Sequence, residues 1–201
     1  FPTRRSSDLM NTKVTPKILI NEAPDVAIVA TGSTPLILPI TGIEDSGVIH
    51  AVDLLDGKVS CGQKVLVVGG RMVGCETAAF LGEQKHDVTV IEFRDQVGAD
   101  VISEHRKFLM KDFDEFKIKT ITSAKVVKFF EGGVDYLSSN GAEQQLDGFD
   151  SIVLAMGARA YDPLSEEVKK VVKETYVIGD ALKARRALDA TAEAMEVAMK
   201  I

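Results

Sequence analysis

The stretch that decides the fold reads VLVVGGRMVGCE and covers residues 65–76. Apolar residues precede two glycines, and residues 72–83 then carry apolar side chains at helical spacing. Dinucleotide-binding folds place the pattern G-x-G-x-x-G between a strand and a helix. The glycines permit a tight turn, close approach of a pyrophosphate and close helix packing. The stretch therefore predicts a strand, a phosphate-binding turn and a helix.

The middle glycine position of this pattern holds a different residue. Gly69 takes the first position and Gly74 the third, while Arg71 stands in the middle, after Gly70. A side chain there intrudes where the pyrophosphate approaches, and a left-handed backbone would add about 1–2 kcal/mol of strain. A guanidinium beside phosphate returns about 1–3 kcal/mol through charge-assisted hydrogen bonds. We expect the steric cost to prevail, so that Arg71 weakens dinucleotide binding by about tenfold or more.

A carboxylate follows at the distance that the pattern requires. Residues 87–92, DVTVIE, are predicted to form the next strand, and Glu92 ends it eighteen residues after Gly74. An acid there accepts hydrogen bonds from the ribose of NAD and repels the extra phosphate of NADP. Arg94 would instead attract that phosphate, so NADP remains the lesser alternative. The free amides of Met72 and Val73, at the helix start, complete the predicted phosphate site.

Strand and helix signals around this stretch predict an α/β fold with a parallel sheet. The apolar run that begins at Asp25 stops at Thr31-Gly32, as in a strand buried on both faces. Residues 118–122, 125–130 and 134–138 are predicted to form an antiparallel meander, because Gly132-Gly133 and Asn140-Gly141 suit tight turns. Further strands are predicted at 151–155 and before Gly179-Asp180, and helices at 51–55, 103–116 and 186–201. The helix at 103–116 offers Phe108, Leu109, Phe113 and Phe116 for its apolar face.

Composition argues against several other classes of protein. The chain has 201 residues and a net charge of −6, which disfavours a nucleic-acid or anionic-membrane surface. No apolar run approaches the roughly 18 residues of a membrane span. Cys61 and Cys75 are too few for a disulfide framework or a four-ligand metal cluster. We therefore predict a soluble, cytoplasmic protein without a metal site, in which Cys75 is a packed core thiol.

The first nine residues, FPTRRSSDL, match no element that follows them and resemble the in-frame translation of a common sequencing-library adapter. They include Arg4, Arg5 and Asp8, so the charge without them is −6 − 1 = −7. A reading frame that begins in an adapter predicts that the natural protein continues further upstream.

The glycine turn, Glu92, the strand ends ATGS and AMGA, and the segment YVIGD together resemble one flavoprotein family. Its members carry two dinucleotide-binding domains, with an NAD domain inserted into an FAD domain. The chain is most similar to the C-terminal part of the NADH:flavin oxidoreductases of the 2,4-dienoyl-CoA reductase and enoate reductase type. The resemblance implies a Rossmann-like NAD(H) domain over 59–158. It also implies a truncated FAD-binding Rossmann-like domain formed by 10–58 and 159–201.

The resemblance also implies roles for single residues. Thr31-Gly32 would close the FAD-domain strand, and Met156-Gly157 would mark the return crossing. Asp180, after Gly179, would hydrogen-bond the ribityl chain of FAD. Glu76 matches a family glutamate near the nicotinamide, although a simple helix-surface charge is nearly as well supported. No catalytic residue can be assigned from the sequence.

The implied function is hydride transfer from NADH to FAD within a larger enzyme. The FAD fingerprint expected before Lys17 is absent, so the fragment alone is expected to be inactive. An FMN barrel and an iron–sulfur centre would lie upstream in the same parent chain, and an oligomer is possible. The alternatives are a stand-alone NADH oxidase, a ferredoxin-reductase-like enzyme, or a non-catalytic nucleotide-binding domain.

Overall fold

The computed structural model describes residues 9–44 and 46–201, so most of the adapter-like segment 1–9 lies outside the described residues. The chain divides into two compact units. The inserted unit is Pro35–Gly157, and the flanking unit consists of the described chain up to Thr34 together with Ala158–Ile201.

The helices and strands follow one another as α and β elements in both units. In chain order they are α1 (Pro16–Glu22), β1 (Val26–Val29), β2 (Ser33–Pro35), β3 (Ile49–His50), α2 (Ala51–Leu55), β4 (Lys64–Val68), α3 (Met72–Glu83), β5 (Asp87–Ile91), α4 (Ser103–Glu115), β6 (Lys119–Ile121), β7 (Lys125–Phe130), β8 (Gly133–Leu137), β9 (Glu143–Leu146), β10 (Ser151–Leu154), β11 (Ala158–Ala160), α5 (Ser165–Val168), β12 (Glu174–Val177), a 3-10 helix (Gly179–Ala181) and α6 (Ala187–Ala198).

The inserted unit is built on a parallel sheet whose strands are buried on both faces. Within the described residues the sheet order is β3-β10-β4-β5-β6, and every pairing is parallel. Val65 and Val67 of β4 pack with the helices α2, α3 and α4, whereas Leu66 and Val68 pack with the antiparallel sheet β7-β8-β9. Burial on both faces explains why the strand sequence is continuously apolar rather than alternating. The predicted α/β fold with a parallel sheet and an antiparallel meander is confirmed.

Two details of the predicted meander and of α4 are wrong. Residues 119–121 form β6, which pairs in parallel with β5, and Glu143–Leu146 supplies the third strand of the meander as β9. On α4, Leu109 and Phe113 are buried, but Phe108 is 71% exposed. Phe108 precedes Leu109 by one position and therefore lies about 100° away around the helix, outside the buried stripe.

The inserted unit begins earlier than the boundary expected at residue 59. β3 pairs with β10, and Ala51 and Leu54 of α2 join the core beneath α3. These contacts place residues 35–58 with the parallel sheet of the inserted unit rather than with the flanking unit.

The flanking unit has a small core of its own. β1 pairs in parallel with β12, and β2 pairs with β11. Val29, Val168 and Val172 form the buried centre, with Leu19 of α1 packed against it. Because β1 and β12 run in parallel and end opposite one another at Val29 and Val177, the segments that follow both strands emerge at the same edge.

Candidate dinucleotide site

The glycine turn lies at the carboxyl edge of the parallel sheet of the inserted unit. Val68, the last residue of β4, is paired with Ile91 of β5 and with Leu154 of β10. The residues after these three strands therefore emerge side by side, at the edge where open α/β sheets bind ligands. Gly69, Glu92 and Met156 all follow these strands, so the fold brings three separated parts of the predicted site together.

Gly69 makes the turn and needs to be glycine for two independent reasons. Its φ is +105°, a conformation that residues with a side chain rarely adopt. A Cβ atom at this position would also lie 2.5 Å from the carbonyl oxygen of Ala155. The Gly69 amide donates to the Ile91 oxygen at 2.9 Å, which fixes the bend against β5.

Gly74 allows α3 to pack directly against the turn. A Cβ on Gly74 would lie 1.8 Å from the Gly69 oxygen and 3.2 Å from the Ala155 Cβ. A Cβ on Gly70 would lie 2.8 Å from Val97 Cγ1. The first and third glycines of the pattern thus have the turn and packing roles that the sequence predicts for them, and Gly70 is equally confined.

Arg71 does not adopt the strained backbone that was considered for it. Its φ is −79° and its ψ is −171°, which is ordinary extended backbone, so the strain contribution does not apply. The side chain is about half exposed, and its Nε donates to Oδ2 of Asp100 at 3.1 Å. The predicted weakening of nucleotide binding therefore has no backbone cause, and the guanidinium is already paired with a carboxylate.

Asp100 contacts the predicted turn, although sequence reasoning did not single it out. Its Oδ1 accepts from the backbone amide of Met72, the first residue of α3, at 3.0 Å. That amide is one of the donors at the helix start that have no partner within the helix, and anions bind favourably to such donors. Asp100 lies in the loop between β5 and α4, 28 residues after Met72. A local sequence pattern does not report a helix cap at such a separation.

Glu92 is buried at the turn and ties two strand ends together. Its side chain is 5% exposed. Oε2 accepts from the Gly70 amide at 2.5 Å, and Oε1 accepts from the Arg94 amide at 2.8 Å. Each carboxylate oxygen retains further acceptor capacity, so a ribose hydroxyl can still bond to it. Arg94 itself is exposed.

The remaining predicted residues of this unit differ in their exposure. Val73 and Glu76 are exposed on α3, so Glu76 is a surface carboxylate. Met156 is half buried against the core on the meander side, and Gly157 follows it with φ +106°. The Gly157 oxygen accepts from the Leu36 amide at 2.9 Å, which joins the two ends of the inserted unit.

Cys75 is a packed thiol beneath the turn, as predicted. It is fully buried, and its Sγ donates to the Gly70 oxygen at 3.2 Å. Burial raises the pKa of the Cys75 thiol to about 12, so the group stays protonated at neutral pH. A buried protonated thiol is unreactive, which argues against a redox role for Cys75.

The flanking unit brings its own predicted residues together at the shared edge of β1 and β12. Thr31 Oγ1 donates to the Tyr161 oxygen at 2.6 Å, and the Gly32 oxygen accepts from the Tyr161 amide at 3.1 Å. Asp180 Oδ2 accepts from Ser33 Oγ at 3.0 Å, which links the two strand ends. Ser33 was not among the residues predicted for the site.

A side chain of α6 stabilises the turn at Gly179 by a hydrogen bond. Gly179 has φ +61°, and its amide donates to Glu193 Oε2 at 2.7 Å. Glu193 also pairs with the Arg185 guanidinium, which holds the pKa of that carboxyl below its usual range. The Arg185 amide in turn donates to Asp180 Oδ1 at 3.0 Å. Both oxygens of Asp180 are thus oriented by neighbours.

Two features are absent from the described part of the chain. None of its helices is both long and apolar enough to cross a membrane. No group of three or more His, Cys, Asp or Glu side chains suited to a metal ion occurs among the same residues.

Known proteins share this sequence and fold over most of the chain. A family model described as pyridine nucleotide-disulphide oxidoreductase matches residues 20–182. An NADH oxidase of Thermoanaerobacter brockii is 34% identical over 187 residues, which cover 89% of this chain and 28% of that protein. A cinnamate reductase of Clostridium sporogenes is 34% identical over 180 residues, covering 88% and 26% respectively.

Solved structures give the same picture. A 2-naphthoyl-CoA reductase in complex with 2-naphthoyl-CoA matches with a TM-score of 0.87 and 31% identity, over 95% of this chain and 29% of that one. A histamine dehydrogenase from Rhizobium sp. 4-9 matches with a TM-score of 0.84 at 15% identity, a likeness of fold alone. The chain spans about a quarter to a third of the length of these four proteins.

Proposed function

The chain belongs to the pyridine nucleotide-disulphide oxidoreductase family, and from this premise we propose that it binds NADH and FAD and serves hydride transfer between them. The resemblance to flavin oxidoreductases with two dinucleotide-binding domains, stated from the sequence, is confirmed by the family match and the relatives. The chain is much shorter than these relatives, so the family match does not establish the activity of the whole protein, and we propose that activity below.

One observation carries the assignment of the NADH site to the inserted unit. The buried Glu92 carboxylate accepts from the amide of Gly70, in the bend between β4 and α3. The phosphate-binding turn and the ribose-binding acid are therefore neighbours at one sheet edge, as a single dinucleotide requires. Gly69 and Gly74 allow the turn and α3 to pack this closely, because Cβ atoms at either position would collide with backbone.

The roles of the residues follow from their chemistry. The amides of Met72 and Val73 and the positive end of the α3 dipole would bind the pyrophosphate. Glu92 would accept from the ribose hydroxyls, and its buried negative charge would repel the additional phosphate of NADP. NADH is thus the proposed substrate, with NADPH as the weaker ligand.

The flanking unit would hold the flavin. Asp180, fixed by Ser33 and by the Arg185 amide, would accept a hydrogen bond from the ribityl chain. Gly32 and Gly179 would leave the backbone at this edge without side chains, and Thr31 would hold the strand end through its bond to the Tyr161 oxygen. When bound, the flavin supplies the hydride acceptor and passes electrons onward. The protein contributes position and orientation of the two ligands.

The parent enzyme would reduce an activated double bond. The cinnamate reductase and the 2-naphthoyl-CoA reductase, at 34% and 31% identity, support a reductase of the enoate type. In that case FMN and an iron–sulfur centre would lie in further domains of the same chain. The NADH oxidase of T. brockii, also at 34% identity, supports the second candidate, in which dioxygen is the acceptor. A cytoplasmic location stays a prediction from cysteine content.

A direct test is a fluorescence titration of the purified protein with NADH and, in parallel, with NADPH. We expect saturable binding of NADH and weaker binding of NADPH. Glu92→Gln should narrow the difference between the two, because it removes the charge that repels the extra phosphate. Folded protein that binds neither nucleotide would overturn the proposal.

The position of Glu76 can be tested within the same helix. In the full-length parent protein with FAD bound, Glu76→Gln should slow the NADH-dependent bleaching of flavin absorbance while leaving NADH affinity unchanged. Glu83→Gln is the matched control, because Glu83 is also an exposed carboxylate on α3 but lies at its far end. Equal rates for both variants would remove Glu76 from the proposed nicotinamide site.

A further inference from the structure

The donors that would bind a dinucleotide phosphate are already bonded to a carboxylate of the chain itself. Asp100 Oδ1 accepts from the Met72 amide at 3.0 Å, and Oδ2 accepts from Arg71 Nε at 3.1 Å. The carboxylate thus engages the first free amide of α3 and the side chain that replaces the middle glycine. Its side chain is 26% exposed, so solvent and solutes reach it.

We propose that Asp100 is an internal occupant of the phosphate site, which a dinucleotide must displace in order to bind. This inference rests on the proposed function, because it assumes that the phosphates approach the start of α3. On displacement, Arg71 exchanges the carboxylate for a phosphate oxygen and becomes a ligand. The occupant accounts for how Arg71 is tolerated in the turn, since the guanidinium pairs with an anion in both states.

The loop that carries Asp100 is anchored on either side of it. The Gly98 amide donates to the Gly70 oxygen at 2.7 Å, and the Val101 amide donates to the Gly98 oxygen at 3.1 Å. Val97 and Val101 are both buried in the core of the inserted unit. Release of Asp100 therefore needs only a rotation of its side chain, because the backbone on both sides is held in place.

Competition with an internal anion lowers the apparent affinity by the fraction of molecules in which the site is free. Asp100→Asn keeps the shape of the side chain but removes its charge, so it weakens the hold on Arg71 and on the Met72 amide. We expect this variant to bind NADH about five- to tenfold more tightly. This factor is the affinity that the wild type loses while a partly exposed charged contact masks the site.

Either the Asp100 carboxylate or the bulk of Arg71 could obstruct NADH at this turn, and the two cases predict opposite rankings of NADH affinity for Asp100→Asn and Arg71→Gly. If Asp100 is the obstacle, Asp100→Asn tightens NADH binding more than Arg71→Gly does. Arg71→Gly removes a phosphate ligand and leaves the carboxylate uncompensated on the Met72 amide. If the bulk of Arg71 is the obstacle, Arg71→Gly tightens binding about tenfold and Asp100→Asn leaves it unchanged.

The experiment is an NADH fluorescence titration of the wild type, Asp100→Asn, Asp100→Ala and Arg71→Gly, with thermal unfolding to verify folding. Asp114→Asn is the matched control, because it removes the same charge from an exposed position at the opposite end of α4. Tighter binding by both Asp100 variants, and not by Asp114→Asn, supports the occupant. Unchanged or weaker binding by folded Asp100→Asn overturns it. NADH binding by none of the folded proteins overturns the proposed function instead.

Discussion

Replacing Gly74 by alanine tests the close packing on which the glycine turn depends. The Cβ of alanine would lie 1.8 Å from the Gly69 oxygen and 2.8 Å from the Gly69 carbonyl carbon. A carbon and an oxygen without a covalent bond normally stay about 3.3 Å or more apart. Either α3 or the turn must therefore move by about 1.5 Å, which is the difference between this 3.3 Å separation and the 1.8 Å from the Cβ to the Gly69 oxygen.

Two opposing contributions set the size of the effect on stability. Alanine in place of glycine inside a helix favours folding by about 1 kcal/mol. Overpacking of a core costs about 1–3 kcal/mol, and a contact with rigid backbone belongs at the upper end of that range. The net loss is about 2 kcal/mol, which lowers the melting temperature of a protein of this size by about 4–8 °C.

The assay combines thermal unfolding with an NADH titration. Gly57→Ala is the control in the same unit, since Gly57 has φ +68° but no atom within 4 Å of an added Cβ. That change costs only backbone strain of about 1–2 kcal/mol and should leave NADH binding unaltered. Gly74→Ala should lose both stability and NADH affinity. A Gly74→Ala protein as stable as the wild type would refute the packing argument, because helix propensity would then outweigh the contact.

Three further outcomes are expected from buried and paired groups. Glu92→Gln places an NH₂ donor against one of two backbone amides, and the unpaired amide should lower the free energy of unfolding by about 1–3 kcal/mol, measured with guanidinium chloride. The pKa of Cys75 is raised from 9.0 to about 12, so the unfolded thiol ionises first. Stability should then fall as pH rises above 9.0, less so in Cys75→Ala; parallel pH profiles would contradict this. Arg185 lowers the pKa of Glu193 below 4.5, so the stability that this carboxylate adds is present above pH 4.5 and lost as pH falls. The melting temperatures of the wild type and Glu193→Gln should accordingly converge in acid.

The sequence predicted the elements whose signals are local. Residues 72–83 were predicted as a helix and form α3 with those bounds, because the glycines before them and the apolar spacing within them both lie in one short stretch. β6 is an element whose sheet cannot be predicted from local signals. Its residues look like any short strand, and only the distant partner β5 decides whether they join the parallel sheet or the meander.

The candidate site divides in the same way. Gly69, Gly74 and Glu92 could be predicted from sequence because a strand, a turn and a following strand fix their spacing. Asp100 could not, since its contact with Met72 depends on the path of a loop that has no regular period. The conformation of Arg71 was likewise beyond sequence reasoning, because a glycine pattern does not specify the dihedral angles of a residue that breaks it.

The hydrogen bond between Leu36 and Gly157 has a consequence for how this chain can be rebuilt. It brings the entry and the exit of the inserted unit side by side, so the unit is a cassette whose removal leaves a gap that a few glycines can bridge. A gene encoding Pro35–Gly157 alone should yield a self-contained nucleotide module, since that segment carries its own core. The same adjacency makes it exchangeable with the corresponding cassette of a relative, and such a swap would test whether cofactor preference moves with this unit, as the proposed NADH site requires.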